Sequence, residues 1–249
     1  MLVLTSFQRI FEANASKKPQ HLTFDDIYPA LDEADVSPSI LSGLQEVVTK
    51  YRIKSGGSHH LQQQASLIGH LRPILEQESA KTVLELGAGR GVTGILTAGV
   101  SKGPTKLYII ERGSSKEKAD KILRAREDHQ TQLDFDLTKL AWNRVECDLA
   151  DLKIDSLVEK DEKIVSVAKH LCGAGTDLAL KSLVPIRHQI TASVFATFCH
   201  GVCSWQDYVG RLYLQDIMGK EFGEQEFDLM RKWTTGTVVT TKPKKSDSE

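Results

Sequence analysis

Residues Val83–Gly91 read VLELGAGRG. The apolar run Val83, Leu84 and Leu86 carries one carboxylate, Glu85, and breaks into Gly87, Gly89 and Gly91. The apolar, helix-capable stretch Val92–Val100 follows. A strand-to-helix turn of this kind uses glycine because a backbone without Cβ tolerates left-handed conformations and comes close to a ligand. The helix that follows presents unpaired N–H groups to polar or anionic atoms. The stretch therefore points to an α/β sheet with a small-molecule site at the end of its first strand.

Outward from it, short apolar runs alternate with helical stretches. Strands are expected near Thr82–Leu86, Lys106–Glu111, Arg144–Asp148, Lys163–Lys169 and Thr191–Phe198. Helices are expected near Val92–Val100, Ser115–His129, Thr176–Leu183 and Trp205–Met218, with a last pair of strands around Lys232–Thr241. This order predicts a Rossmann-like, mostly parallel, twisted sheet with helices on both faces. Upstream, residues 1–58 read as a short helical appendage punctuated by Lys18–Pro19, Tyr28–Pro29 and Ser37–Pro38. The turn-rich Ser55–His60 precedes a helix from about Leu61 to Glu78, kinked or ended at Pro73. Residues 59–241 form the main domain, and the polar stretch 242–249 reads as a disordered tail.

Composition narrows the function classes. No apolar run approaches the roughly 18 residues of a membrane span, so no membrane partner is expected. Four cysteines at uneven spacing (Cys147, Cys172, Cys199, Cys203) fit a reduced protein of the cytoplasm, the nucleus or both better than a disulfide scaffold. A net charge of −1 leaves nucleic-acid binding to local patches. One such patch is Arg112–Arg126, where six cations face only Glu117 and Asp120. It reads either as a solvated helix face or as a phosphate-contacting edge. A second is Lys242–Pro243–Lys244–Lys245.

The glycine spacing bears on the ligand. A dinucleotide loop reads GxGxxG/A, whereas here Val92 stands at that last position and the third glycine is Gly91. Glu111 ends the second strand, where a carboxylate can accept both ribose hydroxyl hydrogens of a nucleoside. Asp148, placed at the end of the third strand, can accept from an adenine amino group. The GxGxG spacing with Glu85 two residues ahead resembles motif I of class I methyltransferases, which bind S-adenosylmethionine.

Further segments sharpen the resemblance. HLQQQASLIGH (His60–His70), IIERGSSKEKAD (Ile109–Asp120), KHLCGAGTD (Lys169–Asp177) and CHGVCSWQDYVG (Cys199–Gly210) join ELGAGRG in order. Together they resemble the eukaryotic tRNA 2′-O-methyltransferase family that modifies the fourth nucleotide of the acceptor stem, over about His59 to Gly236. The resemblance implies S-adenosylmethionine as cofactor and tRNA as partner. The cofactor would be held by Glu85, Gly87, Ala88, Gly89, Gly91, Glu111, Arg112, Asp148, Leu149 and Gln64. Lys169 and His170 would face the substrate, where one of them orients the 2′-oxygen or takes its proton. Asp177 either orients them or caps a helix. Cys199 and His200 would shape the same mouth.

The match has departures. The family's CCHH run is Phe198–Cys199–His200–Gly201 here, and the segment around Trp233–Gly236 fits loosely. Family members typically carry N-terminal Cys/His zinc modules, yet residues 1–58 hold no cysteine and only one histidine, His21. A zinc-bearing protein partner for RNA docking, a divergent paralogue and a fragment all fit this pattern. No metal is expected within the chain. Other readings stay open: a cysteine nucleophile at Cys172 or Cys199, zinc held by Cys199, His200 and Cys203, a protein or small-molecule acceptor, and a non-catalytic partner that only binds the cofactor.

Overall fold

Strand β1 (Thr82–Leu86) is buried along its whole length, including Glu85. Its side chains alternate, with Val83 in one hydrophobic core and Leu84 and Leu86 in another, so the strand has packed layers on both sides. In this computed structural model the described residues are 38–53, 58–77, 80–100, 103–104, 106–114, 119–125, 135–197 and 202–236. The expected tail and most of the expected N-terminal appendage lie outside them.

The helices Pro38–Lys50 (α1) and Ser58–Gln77 (α2) precede β1. After it come α3 (Val92–Gly99), β2 (Lys106–Glu111), α4 (Asp120–Ala125) and β3 (Ala141–Glu146). The chain continues through β4 (Ile164–Lys169), α5 (Gly175–Leu183), β5 (Ile190–Ala196), α6 (Arg211–Met218) and α7 (Glu224–Gly236). The five strands form one sheet in the order β3-β2-β1-β4-β5, and every pairing is parallel. Residues of α1 to α4 pack on one face, whereas α5 and the short helical turn Val184–Ile186 pack on the other. A parallel sheet needs this double cover, because its crossover helices lie on its faces. The α/β sheet expected from the alternation is therefore observed.

Boundaries differ where tertiary context overrides the local pattern. Pro38 opens α1 instead of marking a turn, since proline lacks the N–H that the first helical position leaves unused. Ile40, Leu44, Val47 and Val48 of α1 are buried in the same core as α2. Pro73 lies inside a continuous α2. β3 begins and ends earlier than expected, because its residues pair with β2 along its full length, from Lys106↔Ala141 to Glu111↔Glu146.

The described residues fall into two compact units, and the sheet belongs wholly to Ala34–Leu171 with Gly175–Phe198. The other unit contains α6 and α7, whose small core is Leu214, Phe222 and Phe227. Trp205 and Tyr208 stack on Phe227 with ring centroids 5.5 and 5.2 Å apart. Their segment is a turn, closed by the Ser204 hydroxyl accepting the Asp207 N–H at 3.2 Å, so α6 starts only at Arg211. The expected terminal strands are corrected over residues 232–236, which are helical. There the packing of Phe227 and Met230 on one side of α7 outweighs the strand preference of Thr234 and Thr235.

Close packing of α3 yields a test of this core. A Cβ on Gly99 would run into the buried ring of Phe135. Gly99→Ala is expected to destabilise the fold by about 1–3 kcal/mol through overpacking, read by denaturant unfolding. Unchanged stability would show that Phe135 yields without strain.

Candidate cofactor and catalytic site

The chain lays β2 and β3 to one side of β1, then crosses to place β4 and β5 on the other. Ligands of open parallel sheets bind at such a reversal, outside the carboxyl ends of the adjoining strands. A cleft of about 360 Å³ lies there, between the turn after β1 and the end of β4. Its walls include His60, Gln64, Glu85, Gly87, Ala88, Gly89, Arg90, Glu111, Lys169 and His170.

The three loop glycines have left-handed backbones, with φ of 63°, 52° and 85° at Gly87, Gly89 and Gly91. Their surroundings differ. Nothing lies within 4 Å of the place a Gly89 Cβ would take, so this residue faces open space. A Cβ on Gly87 would strike Leu171, the third residue of KHLCG. One on Gly91 would sit 2.9 Å from Arg144 Nη2 and 3.1 Å from Ile109. Gly91 thus allows packing beneath the loop, and it is absent from the cleft wall, unlike the ligand contact expected from the sequence.

Arg144 on β3 holds the loop from below. Its Nε and Nη2 donate to the Asp120 carboxylate at 2.8 and 2.6 Å, and both side chains are about nine-tenths buried. The same guanidinium donates through Nη1 to the Gly89 carbonyl and through Nη2 to the Arg90 carbonyl, each at 3.0 Å. The Ala119 N–H also donates to the Arg90 carbonyl, at 2.9 Å. Two successive loop carbonyls are therefore fixed on buried donors.

Three acceptors face the cleft. The Glu111 carboxylate takes the Gly89 N–H on one oxygen at 2.8 Å and the Gly113 N–H on the other at 2.9 Å. A carboxylate offers about four lone-pair positions, so each oxygen can accept once more. Glu85 Oε2 and Gln64 Oε1 are buried without a hydrogen-bond partner of good geometry. Burial pushes the Glu85 carboxyl up to about 7, against the Gly94 N–H, the Arg144 charge and Thr93, which act the other way. Such acceptors suit a ligand that brings N–H or O–H donors.

Lys169 ends β4 and reaches the first turn of α2. Its Nζ lies 3.2 Å from His60 Nδ1 and donates to the His60 carbonyl, also at 3.2 Å. Loss of solvent pulls this amine down to about 8; Glu85 opposes the shift and Arg90 adds to it. His170 follows with a left-handed backbone, φ 62°, and its N–H donates to the Ala196 carbonyl at 3.1 Å. Its ring meets that of His60 edge-on, at 5.5 Å.

Of the residues picked out from the sequence, the cleft wall gathers Gln64, Glu85, Gly87, Ala88, Gly89, Glu111, Lys169 and His170. Others lie elsewhere. β3 ends at Glu146, and Asp148 follows in a turn, with Oδ1 accepting the Ala150 N–H at 2.9 Å and Oδ2 3.7 Å from Arg112 Nη1. Leu149, partly buried, packs against the core on the α5 side. Asp177 occupies the first turn of α5, where a carboxylate complements the helix dipole. Cys199 and His200 lie outside the described residues. The local sequence around His60, Arg90 and Arg144 carries no signal for their roles. His60 begins a quoted motif, but nothing local places it against a residue 109 positions away.

Comparison with known proteins agrees with this architecture. Residues 62–249 match the family model described as Methyltransferase TRM13. The chain belongs to the TRM13 methyltransferase family. Relatives named tRNA:m(4)X modification enzyme TRM13 include one from Vanderwaltozyma polyspora, 30% identical over 187 residues, and one from Schizosaccharomyces pombe, 29% identical over 192. A human protein named as a homolog of that enzyme is 25% identical over 240 residues. These alignments cover 69%, 72% and 78% of this chain and 42%, 48% and 48% of the respective relatives. The chain thus spans about half the length of these TRM13 relatives.

Two measurements check the electrostatics of the site. Arg144→Met is expected to cost about 3–5 kcal/mol in denaturant unfolding, because it strands the Asp120 carboxylate in the interior. Adding Asp120→Leu should recover most of that loss; additive losses would contradict the pairing. For Glu85 the folded carboxyl keeps its proton up to about 7, against 4.5 in the open chain. Its contribution is therefore complete below pH 4.5 and lost as pH rises through 7. Glu85→Gln should abolish that slope and leave the variant more stable at pH 8, by up to about 3 kcal/mol. Parallel pH–stability curves would contradict a buried neutral Glu85.

Proposed function

We propose that this TRM13-family chain carries the catalytic part of an S-adenosylmethionine-dependent methyltransferase that acts on a ribose 2′-hydroxyl of tRNA, in the acceptor stem. The observation that carries the reading is the joint position of Glu111, the open Gly89 and two buried acceptors without a hydrogen-bond partner of good geometry, Glu85 Oε2 and Gln64 Oε1, in one cleft. They fit this cofactor group by group. The two free acceptor positions of Glu111 suit a ribose diol, and the bare backbone at Gly89 admits the nucleoside. These oxygens of Glu85 and Gln64 suit an α-ammonium, whose charge would also draw the proton from Glu85. The cleft volume lies within the range of cofactor sites.

When bound, S-adenosylmethionine supplies a methyl carbon made electrophilic by its sulfonium. The chain must then remove a proton from the attacking hydroxyl, which is a poor nucleophile at neutral pH. Lys169 is the group suited to it, since an amine pulled down to about 8 is available in part as the free base near neutrality. His170 beside it helps define the substrate side of the cleft. Docking of the RNA by a zinc-bearing partner protein is part of the same proposal.

The test supplies the protein with methyl-labelled S-adenosylmethionine and separate tRNA and protein fractions. Label should enter tRNA and appear, after digestion, as a 2′-O-methylated nucleoside. Its appearance on a base, or in protein alone, would overturn the acceptor assignment. Lys169→Met should lower kcat by about 10²–10⁴-fold while cofactor binding stays within about tenfold. Wild-type kcat should rise with pH and level off above about 8. A flat profile through that range would argue against Lys169 as the base.

A further inference from the structure

Lys169 meets His60 twice, through the backbone carbonyl and through the ring, both at 3.2 Å. The carbonyl only accepts, so it takes one N–H of the amine. A neutral amine has two N–H groups and one lone pair. If Nδ1 of His60 accepts the second N–H, the lone pair is left as the one undirected position of Nζ, and Lys169 lines the cleft. An amine on a flexible four-carbon stem has no such direction by itself.

We infer that His60 is a positioning residue, whose carbonyl and Nδ1 hold both hydrogens of the Lys169 amine and thereby aim its lone pair at the hydroxyl of the methyl acceptor. The inference rests on the function proposed above. In the step it serves, the hydroxyl oxygen forms a bond to the methyl carbon as its proton passes to the Lys169 lone pair. The methyl–sulfur bond breaks with its electron pair left on sulfur, giving a neutral thioether. Lysine becomes an ammonium whose third N–H lies where the lone pair was, so the two contacts with His60 persist through the transfer.

Other elements also bear on the amine. Glu85 from β1 favours its charge and Arg90 from the glycine turn disfavours it. Glu111 from β2 and His170 at the end of β4 share the cleft with it. The edge-on contact with His170 gives the His60 ring a second support, which fixes the plane in which Nδ1 points.

The experiment compares His60→Ala and His60→Asn in the full chain, since an asparagine side-chain oxygen can stand in for an Nδ1 acceptor. His60→Ala should reduce kcat by about ten- to a hundredfold with the KM for S-adenosylmethionine changed less than about threefold. His60→Asn should recover kcat to within about fivefold of wild type. An NMR titration of the Lys169 side chain reads the contact without turnover. Its midpoint should move upward in His60→Ala, as water reaches the amine, and stay near the wild-type value in His60→Asn. If wild type transfers no methyl to tRNA, the proposed function fails while this titration still judges the contact. Equal kcat losses in both variants, wild-type kcat in His60→Ala, or an unmoved midpoint in His60→Ala would each overturn the role of His60.

Discussion

A guanidinium taken out of water needs acceptors on every side that water has left, and at Arg144 two of them are carbonyls of the glycine turn. The Asp120 carboxylate supplies the opposite charge from α4, so one buried ion pair ties β3, α4 and the turn after β1 together. The turn has little intrinsic order, because three of its residues are glycines with left-handed backbones. Its shape is imposed from below by Arg144, from the segment after β4 by Leu171 against Gly87, and from β2 by Glu111 on the Gly89 N–H. These restraints all come from the protein itself, and such preorganisation reduces the ordering cost of binding.

On that frame two of the titratable groups of the cleft, Glu85 and Lys169, are pushed towards their neutral forms. Glu85 loses solvent under α3, so close that a Cβ on Gly94 would lie 2.6 Å from its Oε2, and it stays protonated to about 7. Lys169 also loses solvent and gives up its proton more readily than an ordinary lysine. Desolvation is the largest cause in both cases, and it acts against the charged form of either group. Groups shifted in this way cluster at functional sites.

The parts of this arrangement that depend on neighbours in sequence were legible in the sequence. The limits of β1 and β2 agree with their apolar runs because turn residues bound both. Gly87 and Gly89 are legible because the turn carries them, Glu85 because it interrupts the apolar run of β1, and Glu111 because it closes the apolar run of β2. The parts that depend on distant pairing were not legible. Arg144 read as a strand residue, yet its partners are the turn 54 and 55 positions away and α4 24 positions away. Asp148 reads as a strand-end residue in the sequence, but pairing with β2 ends the strand at Glu146. In α7 the threonines suggested a strand, and the packing of Phe227 decided for helix.

The most direct measurement is a crystal structure of the protein with S-adenosylhomocysteine, the demethylated form of the proposed cofactor. The nucleoside should lie over Gly87–Gly89 with its ribose hydroxyls on Glu111, its ammonium on Glu85 and Gln64, and its sulfur facing Lys169. Density for the ligand outside the cleft, or a ribose directed away from Glu111, would contradict the assignment of this cleft as the methyl-donor site.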